Sequence, residues 1–270
     1  MPPAENTVEP VDCDEEHVRE YDDYDERVDV APLLSPGASV SVFLGAFVFY
    51  IVASIAFAAL GVIAFAPDAD QQVVISLLSS VIAFAITIAL TAIVQPRIRK
   101  NFAQWVGLTN FSWSRIGYGA LCGAGIYAML TIVSLTLTFA GVTSQDSDTS
   151  TFVSSTDGVW RAVALGLMVP VVAPAMEELF FRGLLNNLLM GAFRTTSEYR
   201  TLVVSLLTST LFALLHFQGL NDVTDVVVLV TTFTVGMVSS SLFFSSRSIY
   251  PSMALHITYN GISSLMMALS

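Results

Sequence analysis

From residue 40 onward the chain alternates between long apolar stretches and short clusters of polar and turn-forming residues. The stretches run over 40–66, 73–94, 116–140, 159–190, 201–217, 223–244 and 249–269. A helix needs about 20 mainly apolar residues to cross about 30 Å of hydrocarbon, and the stretches cluster around that length. The pattern therefore predicts an all-α fold, a polytopic transmembrane bundle of about seven spans. Pro67-Asp68-Ala69-Asp70 leaves room only for a tight turn between the first two spans, which makes them an antiparallel hairpin. Trp160 to Ala192 is longer than one straight span, about 48 Å at 1.5 Å per residue, and contains Pro170 and Pro174. A kink or break is expected there. No internal repeat is visible.

Composition supports the bilayer as solvent: 54% of residues are hydrophobic, 12% are charged, and mean hydropathy is +0.70. Soluble enzyme folds are poorly compatible with these values. The net charge of −11 belongs to one segment, because residues 1–30 hold twelve acidic side chains against Arg19 and Arg27. Such a segment buries too little apolar surface to offset its ordering entropy. Residues 1–37 are thus expected to be a disordered acidic cytoplasmic tail. Residues 38–158 form N-terminal transmembrane helices, and 159–270 a transmembrane core that carries the chemistry. Cys13 and Cys122 imply no disulfide framework, and the polar, acidic start does not read as a cleavable signal peptide.

Orientation follows from the basic residues, which collect on the cytoplasmic side. Arg97, Arg99, Lys100 and Arg115 follow the second span, Arg194 and Arg200 the fourth, and Arg247 precedes the seventh. The alternate connections carry Asp68, Asp70, Asp146, Asp148, Asp157, Asp222 and Asp225, with Arg161 the one nearby base. This predicts a multi-pass protein of the cell membrane with its N-terminus in the cytoplasm and its C-terminus outside.

Ionisable groups inside spans cost at least a few kcal/mol each, so they face the bundle interior and usually act there. Glu177, Glu178 and Arg182 lie in the fourth stretch, His216 ends the fifth, and His256 and Asn260 lie in the seventh. Positions four apart share a helix face, so Glu178 pairs with Arg182 while Glu177, about 100° away, stays unpaired as a candidate general base. His256 and Asn260 are also four apart and point the same way, an arrangement able to donate to one developing oxyanion. Counting from the cytoplasmic helix ends puts Glu177 at about 22 Å and His216 at about 24 Å, one depth at which both could hold a water. The same count puts His256 at only about 10 Å.

Taken in order, Glu177-Glu178-Leu179-Phe180-Phe181-Arg182, Phe212-Ala213-Leu214-Leu215-His216 and His256-Ile257-Thr258-Tyr259-Asn260 resemble the signature of the CPBP family of intramembrane proteases. That family includes the type II CAAX prenyl endopeptidases and the bacteriocin-processing, Abi-like proteins. The resemblance covers about residues 159–270. It implies that Glu177 and His216 activate a water, that His256 and Asn260 hold the oxyanion, and that Glu178 and Arg182 support the site. It further implies a membrane-anchored peptide or protein substrate, with the lipid bilayer as partner and no nucleic acid. The metal question stays open: Glu177, His216 and His256 are adequate zinc ligands, whereas a glutamate mechanism needs no cofactor. The metal-free route is favoured, since zinc on those three would leave only Glu178, tied to Arg182, as base. Competing readings are a proton-coupled transporter or channel and a non-catalytic membrane protein that binds peptide. Neither substrate identity nor oligomeric state can be read from these residues.

Overall fold

The computed structural model describes residues 33–65, 69–141, 158–193, 197–217 and 223–269. The acidic residues 1–30, and with them most of the expected tail, lie outside the described residues. So do most of the acidic connections.

Among the described residues, seven helices answer to the seven apolar stretches. They are α1 Pro36–Phe65, α2 Ala69–Val94, α3 Trp113–Phe139, α4 Gly158–Ala192, α5 Ser197–Leu215, α6 Val223–Ser246 and α7 Tyr250–Leu269. Among the described residues there is no strand. Hydrocarbon offers no partner for backbone N–H and C=O groups, so each segment must satisfy its own, as a helix does. Hydroxyls follow the same rule: Ser79, Thr87 and Thr91 donate to Ile75 O, Ala83 O and Thr87 O at 2.7–2.8 Å, one turn back in α2. α1, α2, α3, α4 and α6 are long and apolar enough to cross a membrane. α5 is too short, and α7 is diluted by Pro251, Ser252, His256, Tyr259 and Asn260. The two helices that fall outside that group thus bring in the histidines.

α1 and α3 present large apolar side chains outward, among them Val52, Ile55, Ile63, Leu121, Ile132 and Phe139. Such surfaces would drive aggregation in water and are at rest in lipid. Inward, an aromatic chain crosses four helices. Tyr50 of α1 stacks on Phe84 of α2 at 4.1 Å, and Phe84 meets Phe180 of α4 at 4.9 Å. Phe180 then meets Phe181 at 5.2 Å, and Phe181 meets Phe212 of α5 at 5.1 Å. Phe180, Phe181 and Phe212 are at most 1% exposed, so this chain is the rigid centre of the bundle.

α7 is held by α3 through a small-residue seam. A Cβ at Gly119 would fall on the carbonyl of Pro251, and one at Gly123 on that of Leu255. Only glycine permits this approach, and the Gly119-x-x-x-Gly123 spacing is the one that lets membrane helices touch backbone to backbone.

The basic end is tied together across the segment 96–110. Arg97 donates to Leu33 O, Asn110 to Arg247 O and Arg115 to Ser246 O at 3.0–3.2 Å, while Ile98, Trp105 and Val106 are buried beneath.

Candidate active site

The site begins with the backbone of α4. Ala164–Val172 and Leu179–Leu185 are π-helical, and Ala173–Glu178 between them is α-helical. The expected kink or break is thus a double change of hydrogen-bond register within an unbroken helix. Pro170 and Pro174 supply the cause for the first, because a residue without N–H cannot continue the ladder. Glu177 and Glu178 lie in the short α-helical turn between two such defects.

Glu178 and Arg182 meet as their spacing requires. Arg182 Nη1 lies 3.2 Å from Glu178 Oε1, with side chains 1% and 0% exposed. Arg182 Nη2 donates to Gly236 O of α6 at 3.0 Å, and the guanidinium carbon sits 4.8 Å from the Phe212 ring centroid. Among the described residues Glu178 Oε2 and Arg182 Nε have no hydrogen-bond partner.

His256 is brought to both glutamates. Its Nδ1 lies 3.0 Å from Glu178 Oε1 and its Nε2 lies 3.7 Å from Glu177 Oε2. Glu178 Oε1, facing Arg182, is an acceptor, so Nδ1 carries the proton and donates it. Neutral His256 therefore turns an Nε2 lone pair toward Glu177. It donates from Nε2 only when the ring holds both protons. The separation of 3.7 Å exceeds a direct hydrogen bond. Counting residues from helix ends sets His256 well below Glu177. The count fails because the helix ends it starts from are not level: Ile249 bonds to Gly107 O, and the adjacent Val106 lies against Gly183, nine residues short of the Ala192 end of α4.

His216 sits one residue past the end of α5. Its N–H reaches Ala213 O at 3.0 Å, and its Nδ1 donates to Phe212 O at 2.8 Å. Phe212 O is one of the last carbonyls of α5, which the helix itself leaves unpaired, so His216 caps its own helix. This fixes Nδ1 as donor and leaves Nε2 with a free lone pair. The Phe212 ring lies between the two imidazoles, 4.7 Å from His216 and 5.5 Å from His256.

Asn260, one turn beyond His256, donates through Nδ2 to Val169 O of α4 at 3.1 Å. One amide hydrogen is thereby engaged on the backbone and the second is left for another acceptor.

Residues of the motif-free half also reach the site. Tyr50, 7% exposed, lies within electrostatic reach of Glu177. Behind Arg182, Asn186 accepts from Thr208 at 2.7 Å and its amide meets Ser240 Oγ at 3.4 Å, joining α4, α5 and α6 by buried side chains. The signal in the sequence was position: Asn186 follows Arg182 by four residues and so extends its face.

Among the described residues no three His, Cys, Asp or Glu side chains are gathered as a metal would need, so Glu177, His216 and His256 do not form a ready ligand set.

Residues 159–262 match the family model described as Type II CAAX prenyl endopeptidase Rce1-like. No curated protein and no solved structure matched the chain. The matched region contains all of the α4 register changes and every side chain of the cluster. The chain thus combines five helices, among the described residues, long and apolar enough to cross a membrane with a region, 159–262, that is similar to the Rce1-like type II CAAX prenyl endopeptidases.

Proposed function

We propose that this protein is an intramembrane endopeptidase that hydrolyses a peptide bond of a membrane-anchored protein or peptide, with water activated by Glu177. The observation that carries the reading is the buried chain Glu177, His256, Glu178 and Arg182, in which one carboxylate is left without a countercharge of its own. A water hydrogen-bonded to Glu177 and to the free Nε2 of His216 is oriented for attack. Glu177 takes its proton as the C–O bond forms. The proton passes to His256 Nε2, and the doubly protonated ring is stabilised by Glu178 on its other nitrogen. From there it donates to the oxyanion, with the second amide hydrogen of Asn260 alongside. Collapse of the tetrahedral adduct breaks the C–N bond, and the leaving amine takes the proton from His256.

Between α4 and α7 a largely apolar groove of about 670 Å³ is lined by Leu165, Pro170, Ile257, Gly261 and Leu265. We assign it to the apolar part of the substrate. The basic end, with Arg97, Arg99, Lys100 and Arg115, is read as cytoplasmic, which places the N-terminus inside and the C-terminus outside. The reading is tested with the protein in liposomes and a prenylated or membrane-anchored peptide. Cleavage is expected, and Glu177→Ala or His216→Ala should abolish it while the fold is retained. Full turnover by both variants would remove the assignment.

A further inference from the structure

The Asn260 contact has a cause in the backbone of α4. In the first π-helical segment the N–H of Ala173 bonds to Met168 O, five residues back. The next carbonyl, Val169 O, is due a bond from residue 174, which is Pro174 and has no N–H to give. An unpaired carbonyl inside a membrane bundle costs several kcal/mol in hydrocarbon, so such groups are met by neighbouring side chains. Asn260 Nδ2 meets this one, at 3.1 Å.

We infer that Asn260 is a positioning residue. Its amide replaces the backbone bond that Pro174 removes, and so fixes the register of the turn that presents Glu177 three residues later. The contact and the His256 contacts are successive rungs between α7 and α4. Asn260 thus holds α4 to the helix that carries His256, and errors in one rung reach the other. This role does not depend on hydrolysis. It also differs from oxyanion binding in one respect: it makes the effect of changing residue 260 depend on residue 174.

The test is a double-mutant cycle on the full chain in detergent, read by unfolding without substrate. Asn260→Ala should shift the unfolding equilibrium about tenfold, equal to about 1.4 kcal/mol. In a Pro174→Ala background, where residue 174 regains its N–H, the same change should shift it less than about threefold. Equal shifts in both backgrounds overturn the inference. Hydrogen exchange gives a second reading that needs no proline variant. In Asn260→Ala alone, amides of 164–178 should exchange faster while those of α2 and α6 are unchanged, and an unaltered pattern overturns the inference. Where turnover is measurable, the kcat loss from Asn260→Ala should likewise shrink in the Pro174→Ala background, whereas an oxyanion role alone leaves that loss constant.

Discussion

Arg182→Met isolates the electrostatic core of the site. It removes the guanidinium 3.2 Å from Glu178 Oε1, leaving a 0%-exposed carboxylate with His256 as its remaining partner. Breaking a buried pair on one side costs about 3–5 kcal/mol, because the stranded charge keeps its desolvation penalty. Gly236 O loses its donor as well, about 1 kcal/mol, and the contact of the cation with the Phe212 ring contributes up to about 2 kcal/mol more. These terms overlap, so the lower bound decides: a loss of at least about 3 kcal/mol, set against a typical total of about 5–15 kcal/mol. The double variant Glu178→Met with Arg182→Met strands no charge and should recover most of that loss, since apolar replacements of whole pairs are often neutral. It should not regain turnover, because His256 has lost the acceptor that fixes its Nδ1 proton. The assay is reversible unfolding in mixed micelles followed by circular dichroism, with peptide cleavage measured in parallel. An Arg182→Met protein within about 1 kcal/mol of the parent, or a double variant as unstable as the single, would refute the reasoning.

Glu177→Gln should leave stability within about 1 kcal/mol, since Glu177 makes no direct hydrogen bond to His256, while kcat falls by about 10²–10⁴; unfolding and cleavage assays check the two parts. His216→Phe should lower kcat by about 10² or more with a smaller effect on KM, read from initial rates over a range of substrate. Gly123→Val forces a side chain onto Leu255 O beside His256 and should cut turnover, whereas Gly125→Val, which meets open space, should not; equal effects would show that α3 does not set the position of His256. Cleavage should survive prolonged chelation. Activity lost to a chelator and restored by zinc would transfer the proton chemistry from Glu177 to a metal-bound water.

The pairing of Glu178 with Arg182 was legible in the sequence because i,i+4 neighbours on a helix touch whatever surrounds them. That Glu177, His216, His256 and Asn260 share one interior was legible for a different reason: lipid penalises polar groups, so the few that persist in spans gather. The membrane fold was legible from the apolar stretches alone, and the family model over 159–262 agrees with the resemblance carried by the three motifs. Which atoms meet was not legible. Residue counts assume that helices end at one level, and α4 runs nine residues past Gly183, the level at which α7 begins, so Glu177 meets His256 although counting sets the two far apart. The part played by α3 was written in Gly119 and Gly123, but glycine pairs in an apolar helix gain meaning only once the facing backbone, Pro251 and Leu255, is known.

The register changes suggest why a chain that must be stable in lipid keeps two prolines and two π-helical segments in its central helix. In an uninterrupted α-helix every backbone group is satisfied internally and nothing obliges a neighbouring helix to take a particular height. Removing the N–H of residue 174 creates one acceptor at one height, and the donor that answers it, Asn260, lies one turn from His256. A local defect in α4 is thereby converted into the relative placement of two helices whose reactive groups come from distant parts of the sequence. Apolar packing alone constrains sliding of smooth helices weakly, since lipid competes on equal terms with leucine. The polar rungs at Val169–Asn260 and Glu178–His256 supply the register that dispersion does not, and they do so beside the carboxylate whose position the chemistry requires.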